Sequence, residues 1–145
     1  MDTYNNLEWD EQYDLELKFH TWIRKQWETN MNNFCIQWQQ KIQSAFIDKN
    51  WIPINVPIHL DYETNDGTVF MYLKYQSKRI DIWQDTVKIQ FDNATKDIKQ
   101  WFRQQLNFCD DFTILVDEFW YVDQGFTLEH WIQNGMFEDF MKSLQ

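Results

Sequence analysis

Glycine and proline are scarce in this chain, with three glycines and two prolines among 145 residues. Hinges, linkers and low-complexity segments are rich in these residues, so their scarcity predicts a single domain over residues 1–145. The glycines stand singly at Gly67, Gly125 and Gly135. This spacing excludes the usual glycine-rich loop that cradles a phosphate group.

Cysteine is also rare, since only Cys35 and Cys109 are present. Two cysteines allow at most one disulfide, which does not resemble the framework of a small secreted domain. The N-terminus lacks the basic start and the apolar run of about 7–15 residues of a signal peptide. No apolar stretch approaches the roughly 20 residues of a membrane span. These absences predict a cytoplasmic protein with reduced thiols and no membrane partner.

Positive charge is almost missing from both ends of the chain. Residues 1–17 hold six acids and no base, and residues 107–145 hold eight acids and one base. The middle, 18–106, holds twelve bases and nine acids, and the net charge is −10. Because phosphates are bound by Lys and Arg, this balance argues against direct nucleic-acid binding. It suits a basic protein partner, since complementary fields speed encounter and select partners.

Apolar residues recur at steps of three and four between Leu15 and Phe46. This spacing predicts an amphipathic helix. The polar cluster at 29–33 leaves open a break into a helix pair, because Asn favours caps and turns. The first third of the chain is therefore expected to be helical.

The middle of the chain has the alternation and the apolar runs of β-strands. The Asp66-Gly67 pair predicts a tight hairpin between the first two strands, and the second strand, apolar on both faces, is expected to be central. A last strand is predicted from its β-branched and aromatic residues. The predicted strands are 56–62, 68–75, 78–83, 86–91 and 112–122.

Helical patterns return after the fourth predicted strand. A crossover helix capped by Asp92 or Asn93 is expected to bury the residues Ile98, Trp101, Phe102 and Leu106. C-terminal helices are expected from Thr127 onward, with a kink or break at Asn134-Gly135. The predicted class is α+β, with an N-terminal helix or helix pair, a mainly antiparallel sheet of four to five strands, a crossover helix and C-terminal helices.

Catalytic motifs are missing. The three histidines form no pair with ligand spacing, and none of the three serines lies in Gly-x-Ser-x-Gly. Asp110 and Asp111 follow Cys109, and neighbouring carboxylates disfavour the thiolate that a nucleophile requires, so a nucleophilic role is not expected there. Asp61, Glu63 and Asp66 surround the predicted hairpin. Such acids could hold a hard divalent cation, but we expect them to form a solvent-exposed edge of the sheet. The sequence therefore predicts no catalytic residues, no metal, no cofactor and no enzyme.

One enzyme family provides an alternative. The predicted order of a helix, three strands, a helix and a strand is similar to the core of the PD-(D/E)xK nuclease superfamily. That resemblance implies an acid near the second core strand and an acid-x-Lys on the third, which together hold a divalent metal. Asp66 stands at the hairpin, but Trp83 follows Asp81 where the Lys is expected. The alternative is therefore a degenerate or metal-dependent nuclease-like domain.

Aromatic residues are abundant, with nine Trp, six Tyr and twelve Phe. Trp and Tyr are enriched at interface hot spots, and Trp27 and Trp83 are expected to be exposed along with the aromatics of the acidic ends. The candidate binding residues combine acids and aromatics: Glu8, Trp9, Asp10, Glu11, Tyr13, Asp14, Glu16, Asp110, Asp111, Asp117, Glu118, Trp120, Tyr121 and Asp123.

An acidic face with aromatic anchors suits a groove lined with Lys and Arg, because carboxylates can stand in for phosphates. We therefore predict a small acidic binding protein that inhibits or neutralises a basic, nucleic-acid-handling protein such as a nuclease. Immunity proteins, antitoxins, phage anti-CRISPR or anti-restriction inhibitors and DNA mimics belong to this class. A second alternative is an acidic secretion-type chaperone or adaptor, which binds through apolar surface.

Overall fold

A computed structural model describes residues 2–52, 56–83 and 94–145 of the chain. The described part is a mixed α+β fold with one antiparallel sheet, and the predicted class is confirmed. Its elements in chain order are α1 (Asp2–Asn5), α2 (Trp9–Asp48), β1 (His59–Asn65), β2 (Thr68–Tyr75), β3 (Lys78–Asp81), α3 (Ala94–Asn107), α4 (Asp110–Asp123), α5 (Leu128–Gln133) and α6 (Met136–Ser143).

Helix α2 is a single helix of 40 residues, about 60 Å long. Of the two possibilities left open, the unbroken helix is correct. Asn30, Asn32 and Asn33 are exposed, whereas Met31 and Phe34 beside them are buried. Asn disfavours a helix interior by only about 0.7 kcal/mol, and the buried neighbours offset that loss because packing supplies most helix stability.

The described sheet has three strands in the order β1-β2-β3. Asp66 and Gly67 form the turn between the paired residues Asn65 and Thr68, and both turn residues have positive φ, 49° and 78°. Two positive φ values make a type I′ turn, which matches the twist of antiparallel strands. The predicted hairpin is confirmed, and so is the central position of β2. The first strand begins at His59 rather than at residue 56.

The segment predicted as the last strand is helix α4, so that prediction is wrong. Its buried residues Phe112, Leu115, Phe119 and Val122 are spaced by three and four, and they pack as a helical stripe. The strand predicted at 86–91 lies outside the described residues. The described sheet thus has three strands instead of the expected four to five.

The remaining helices follow the sequence pattern. Helix α3 buries Ile98, Phe102 and Leu106 as expected, while Trp101 is half-buried. Its predicted caps at 92 and 93 lie outside the described residues. Thr127 precedes α5 without a capping side-chain hydrogen bond. Gly135, with a φ of 86°, separates α5 from α6, and the expected break is confirmed.

Helices α2 and α4 pack side by side in opposite directions. His20 Nε2 lies 2.8 Å from the carbonyl oxygen of Val122, near the start of α2 and the end of α4. Farther along α2, Phe34 stacks on Phe112, with ring centroids 5.6 Å apart. The acidic start of α4 therefore lies beside the middle of α2.

Helix α2 also covers the free edge of β1. Gln43 Oε1 accepts a hydrogen bond from the backbone N–H of Ile58 at 2.8 Å, and Gln39 Oε1 accepts one from Leu60 at 3.2 Å. Uncovered strand edges pair with other chains. Because two side chains of α2 occupy these donors, this part of the edge is not open to strand addition.

Candidate protein-binding surface

Three large side chains project from the first turns of α2 and make few contacts with the rest of the fold. Trp9, Tyr13 and Leu17 are 77%, 52% and 49% exposed, and their spacing of four residues places them along one side of the helix. The rings of Trp9 and Tyr13 stack with centroids 5.9 Å apart and an interplanar angle of 10°. The stack presents a continuous aromatic surface to solvent.

Carboxylates project from the same turns of α2 as this aromatic stack. Glu8, Asp10, Glu11 and Asp14 are all exposed, and none forms an ion pair with any described residue. Asp10 and Glu11 lie in the first turn of α2, where a negative charge is favourable against the helix dipole. We name the surface made of Glu8, Trp9, Asp10, Glu11, Tyr13, Asp14 and Leu17 the N-terminal ridge.

Glu16 has an internal role. Its carboxylate is half-buried and accepts a hydrogen bond from the hydroxyl of Tyr4, which joins α1 to α2. Burial, together with the Glu16 carboxylate, raises the pKa of Tyr4 to about 12. Of the residues predicted in this segment, Glu16 is the one that the fold itself uses.

The acids at the start of α4 lie far from the N-terminal ridge. Asp110, Asp111 and Asp117 are exposed on α4. The antiparallel packing puts the start of α4 beside Phe34, which is 21 residues after Tyr13 and so about 30 Å along α2. The acids at the start of α4 and the N-terminal ridge therefore form separate surfaces.

Asp123 joins three elements at the end of α4. Its carboxylate accepts a hydrogen bond from Arg24 of α2 at 2.7 Å and one from the N–H of Gly67 in the hairpin at 2.9 Å. Hydrogen bonds from Gln124 and Arg24 hold the pKa of Asp123 below its ordinary value. This acid is occupied within the fold.

The aromatics near Asp123 are also partly internal. The indole of Trp120, half-exposed, lies so close to Gly67 and Gly125 that a Cβ at either would approach it within 2.7 Å and 2.5 Å. Tyr121 is half-buried and stacks on His130 with ring centroids 3.8 Å apart. These contacts fasten α4 to the hairpin and to α5.

Two further aromatics that were expected to be exposed differ from each other. Trp27 is 3% exposed, and its Nε1 donates a hydrogen bond to the carbonyl oxygen of Leu115 at 2.8 Å, so that expectation is wrong. Trp83 keeps 36% exposure while stacking on Phe112. Trp27 belongs to the α2–α4 contact.

A groove of about 390 Å³ runs between α2 and α4. Phe34 and Leu115 are its buried members. Its polar and exposed members are Asn30, Asn33 and Gln37 on α2 and Asp111, Ile114 and Glu118 on α4. We name this set of eight residues the α2–α4 groove. Asn30, Asn33 and Gln37 recur at helical spacing beside the buried stripe of α2, which is visible in the sequence, whereas their partners on α4 lie in a segment predicted as a strand.

The carboxylates near the hairpin do not converge on a metal. Arg79 forms ion pairs with Glu63 and Asp81, each at 2.9 Å, and Asp61 accepts a hydrogen bond from Tyr72. Among the described residues there is no group of three His, Cys, Asp or Glu side chains that could hold a metal ion. The similarity to the nuclease core also ends here, because a helix stands where its last strand is required.

Comparisons with known proteins gave no match: no family model, no curated protein and no solved structure is similar to this chain. Within the described ranges, no helix combines the length and the apolar character that crossing a membrane requires. The surfaces of the chain itself are therefore the basis for a functional proposal.

Proposed function

We propose that this chain is a small acidic binding protein that inhibits or neutralises a basic, nucleic-acid-handling protein, and that the N-terminal ridge makes the central contact. The observation that carries the proposal is the exposed stack of Trp9 on Tyr13 among carboxylates that have no ion pair with any described residue. A nuclease, with a groove lined by Lys and Arg, is the kind of partner that such a surface fits.

The aromatic stack would supply most of the binding energy. Trp and Tyr anchors that become fully desolvated at the centre of an interface contribute about 2 kcal/mol or more each when truncated. Trp9 and Tyr13 are already ordered against each other, so little side-chain entropy is lost when a partner covers them.

The carboxylates would raise the rate of association and select for basic partners. Glu8, Asp10, Glu11 and Asp14 project from the same turns as the stack and repeat negative charge along the helix. Such a pattern attracts a phosphate-binding groove and repels acidic proteins. The net charge of −10 reinforces this field over the whole molecule. Immunity proteins, antitoxins, anti-CRISPR and anti-restriction inhibitors and DNA mimics acting in the cytoplasm are the biological forms of this proposal.

The decisive variant reverses three charges of the ridge: Asp10→Lys, Glu11→Lys and Asp14→Lys. Tagged wild type and variant are used to capture partners from host or target cells, which mass spectrometry identifies across a salt series. A captured nuclease is then assayed with the purified proteins. We expect wild type to inhibit the enzyme and the variant to bind about tenfold or more weakly, because both steering and contact are lost.

A matched control is available in the C-terminal helices. Glu129→Lys, Glu138→Lys and Asp139→Lys make the same change of net charge, and all three positions are exposed in first helical turns. The control should keep the partner if the ridge is the contact. Equal loss in both variants would indicate non-specific charge attraction and contradict the proposal.

A second pair of substitutions, Trp9→Ala and Tyr13→Ala, separates aromatic contact from charge. We expect weaker binding with little change in unfolding free energy, since both side chains are more than half exposed. A partner that stays bound to all ridge variants and persists in high salt would contradict the proposal and favour the chaperone or adaptor alternative, since apolar burial is not screened.

A further inference from the structure

The α2–α4 groove has the shape of a docking site for a third helix. Its residues on α2 fall at positions i, i+3, i+4 and i+7 from Asn30, and those on α4 follow the same pattern from Asp111. The two antiparallel rows thus run alongside each other for about 10 Å. A groove between two helices with apolar members in its middle accepts the apolar face of an amphipathic helix.

The apolar part of the groove lies between two acids. Ile114 is 54% exposed, while Phe34 and Leu115 are buried beneath it. A helix seated here would cover Ile114 and remove it from water. The volume of about 390 Å³ holds a few side chains, which is at the small end for a drug-sized ligand.

Two carboxylates mark the ends of this groove on α4. Asp111 is exposed, whereas Glu118 is half-buried, and burial raises the pKa of Glu118. Among the described residues no Lys or Arg forms an ion pair with either acid. A cation brought by a partner would offset the energetic cost of desolvating the Glu118 carboxylate and form a charge-assisted hydrogen bond.

The distance between the two acids favours a helix over an extended segment. Asp111 and Glu118 are seven residues apart on α4, which is about 10.5 Å along the axis. Residues i and i+7 of a bound helix have the same separation and face the same side. In a strand, same-side residues lie about 6.6 Å or 13 Å apart, and neither distance matches.

We propose that the α2–α4 groove binds an amphipathic helix of the basic partner, with Arg or Lys at positions i and i+7 opposite Asp111 and Glu118 and apolar residues between them. The inference deepens the proposed function, because it gives the same basic partner a second and more specific contact. The N-terminal ridge attracts and anchors that partner, and the groove selects a helix whose basic residues have the right spacing.

The test uses synthetic helical peptides and the full-length protein. One probe carries Arg at i and i+7 with Leu at i+3 and i+4. The control probe has the same composition but places the second Arg at i+5, on another side of the helix. Binding is followed by NMR through the side-chain amides of Asn30, Asn33 and Gln37. We expect the first probe to shift these signals and to bind about tenfold more tightly than the second.

Two protein variants complete the test. Asp111→Asn with Glu118→Gln keeps the shape of the groove and removes its charges, so the affinity for the first probe should fall about tenfold. Asp97→Asn with Glu129→Gln, two exposed acids outside the groove, makes the same change of net charge and should leave the affinity unchanged. Equal affinity for both probes, no effect of the double variant, or shifts confined to the N-terminal ridge would overturn the inference.

The outcomes also separate this inference from the proposed function. The triple Lys variant of the ridge leaves the groove intact, so it should still bind the first probe. A probe that binds the groove while no basic partner is captured from cells would sustain the groove and contradict the proposed function. A captured partner whose binding is weakened by the ridge variants but not by the groove variants would support the proposed function and contradict the groove inference.

Discussion

Replacing Gly67 by Ala tests how tightly α4 is fastened to the hairpin. Gly67 has a φ of +78°, and a Cβ there would lie 2.7 Å from Cε3 of Trp120 and 2.7 Å from Cγ of Gln124. The left-handed backbone costs a residue with a Cβ about 1–2 kcal/mol, and overlap with the indole adds about 1–3 kcal/mol, as at other overpacked sites. The exposed side chain of Gln124 can move away at small cost. We expect the free energy of unfolding to fall by about 2–5 kcal/mol.

A double-mutant cycle separates the two contributions. In a Trp120→Ala background the indole is absent, so Gly67→Ala should cost only the backbone contribution of about 1–2 kcal/mol. The coupling energy is then about 1–3 kcal/mol. Gly135→Ala is the matched control, because Gly135 has a φ of +86° and no atom lies within 4 Å of its added Cβ.

The assay is urea unfolding of all variants, followed by far-ultraviolet circular dichroism. An equal loss for Gly67→Ala with and without Trp120 would refute the reasoning, because the indole would then not lie against the turn. The cycle also bears on binding experiments. Truncation of Trp120 changes stability as well as surface, whereas Trp9, at 77% exposure, reports on contact alone.

Two further predictions concern ionisable groups. Since hydrogen bonds, chiefly from Gln124, lower the pKa of Asp123, its stabilisation is complete above the unfolded value of about 4 and is lost as pH falls through the folded value. Asp123→Asn should therefore lower the free energy of unfolding in urea by about 1–2 kcal/mol at pH 7 and by less at pH 3. Asp117→Asn is the neutral control, and equal losses at both pH values would contradict this prediction. Burial raises the pKa of Cys35 to about 12, so a thiol reagent at pH 8 should react with the more accessible Cys109 before it reacts with Cys35 in the native protein. Two rapidly reacting thiols would contradict this prediction.

The parts of the fold that were predicted correctly depend on local chemistry. The Asp66-Gly67 turn follows from the ease with which these residues adopt positive φ. Helix α3 shows a single apolar stripe, so its buried face could be read from spacing alone. Gly135 ends α5 because a residue without a Cβ adopts its φ of 86° without strain.

Helix α4 shows why local pattern was not enough. Its sequence combines β-branched and aromatic residues typical of strands with apolar residues at helical spacing. The stripe formed by Phe112, Leu115 and Phe119 faces α2 and contacts Trp27 and Phe34 there. Burial of this stripe in the tertiary structure outweighs the strand propensity of its residues, because that propensity differs between residue types by only about 1 kcal/mol per position.

The candidate binding residues divide in a way that no local signal reveals. Trp9 and Trp120 both lie near acids in the sequence. Trp9 is 77% exposed and contacts the neighbouring Tyr13, whereas Trp120 packs on two glycines. Glu16 and Asp123 resemble Asp10 in type, but each is occupied by a hydrogen-bond donor distant in the chain. Exposure depends on what the fold places nearby, and those neighbours are 12 and 99 residues away.

The sequence by itself determined the segregation of charge, the mixed α+β class, the Asp66-Gly67 hairpin and the buried stripes of α2 and α3, because each depends on composition or on neighbours within two helical turns. The tertiary structure decided that α4 is a helix, that it runs antiparallel to α2, and that the acids at the start of α4 therefore lie far from the N-terminal ridge. The physical reason is that burial and hydrogen bonding between distant segments select among alternatives that local propensity leaves nearly equal in free energy.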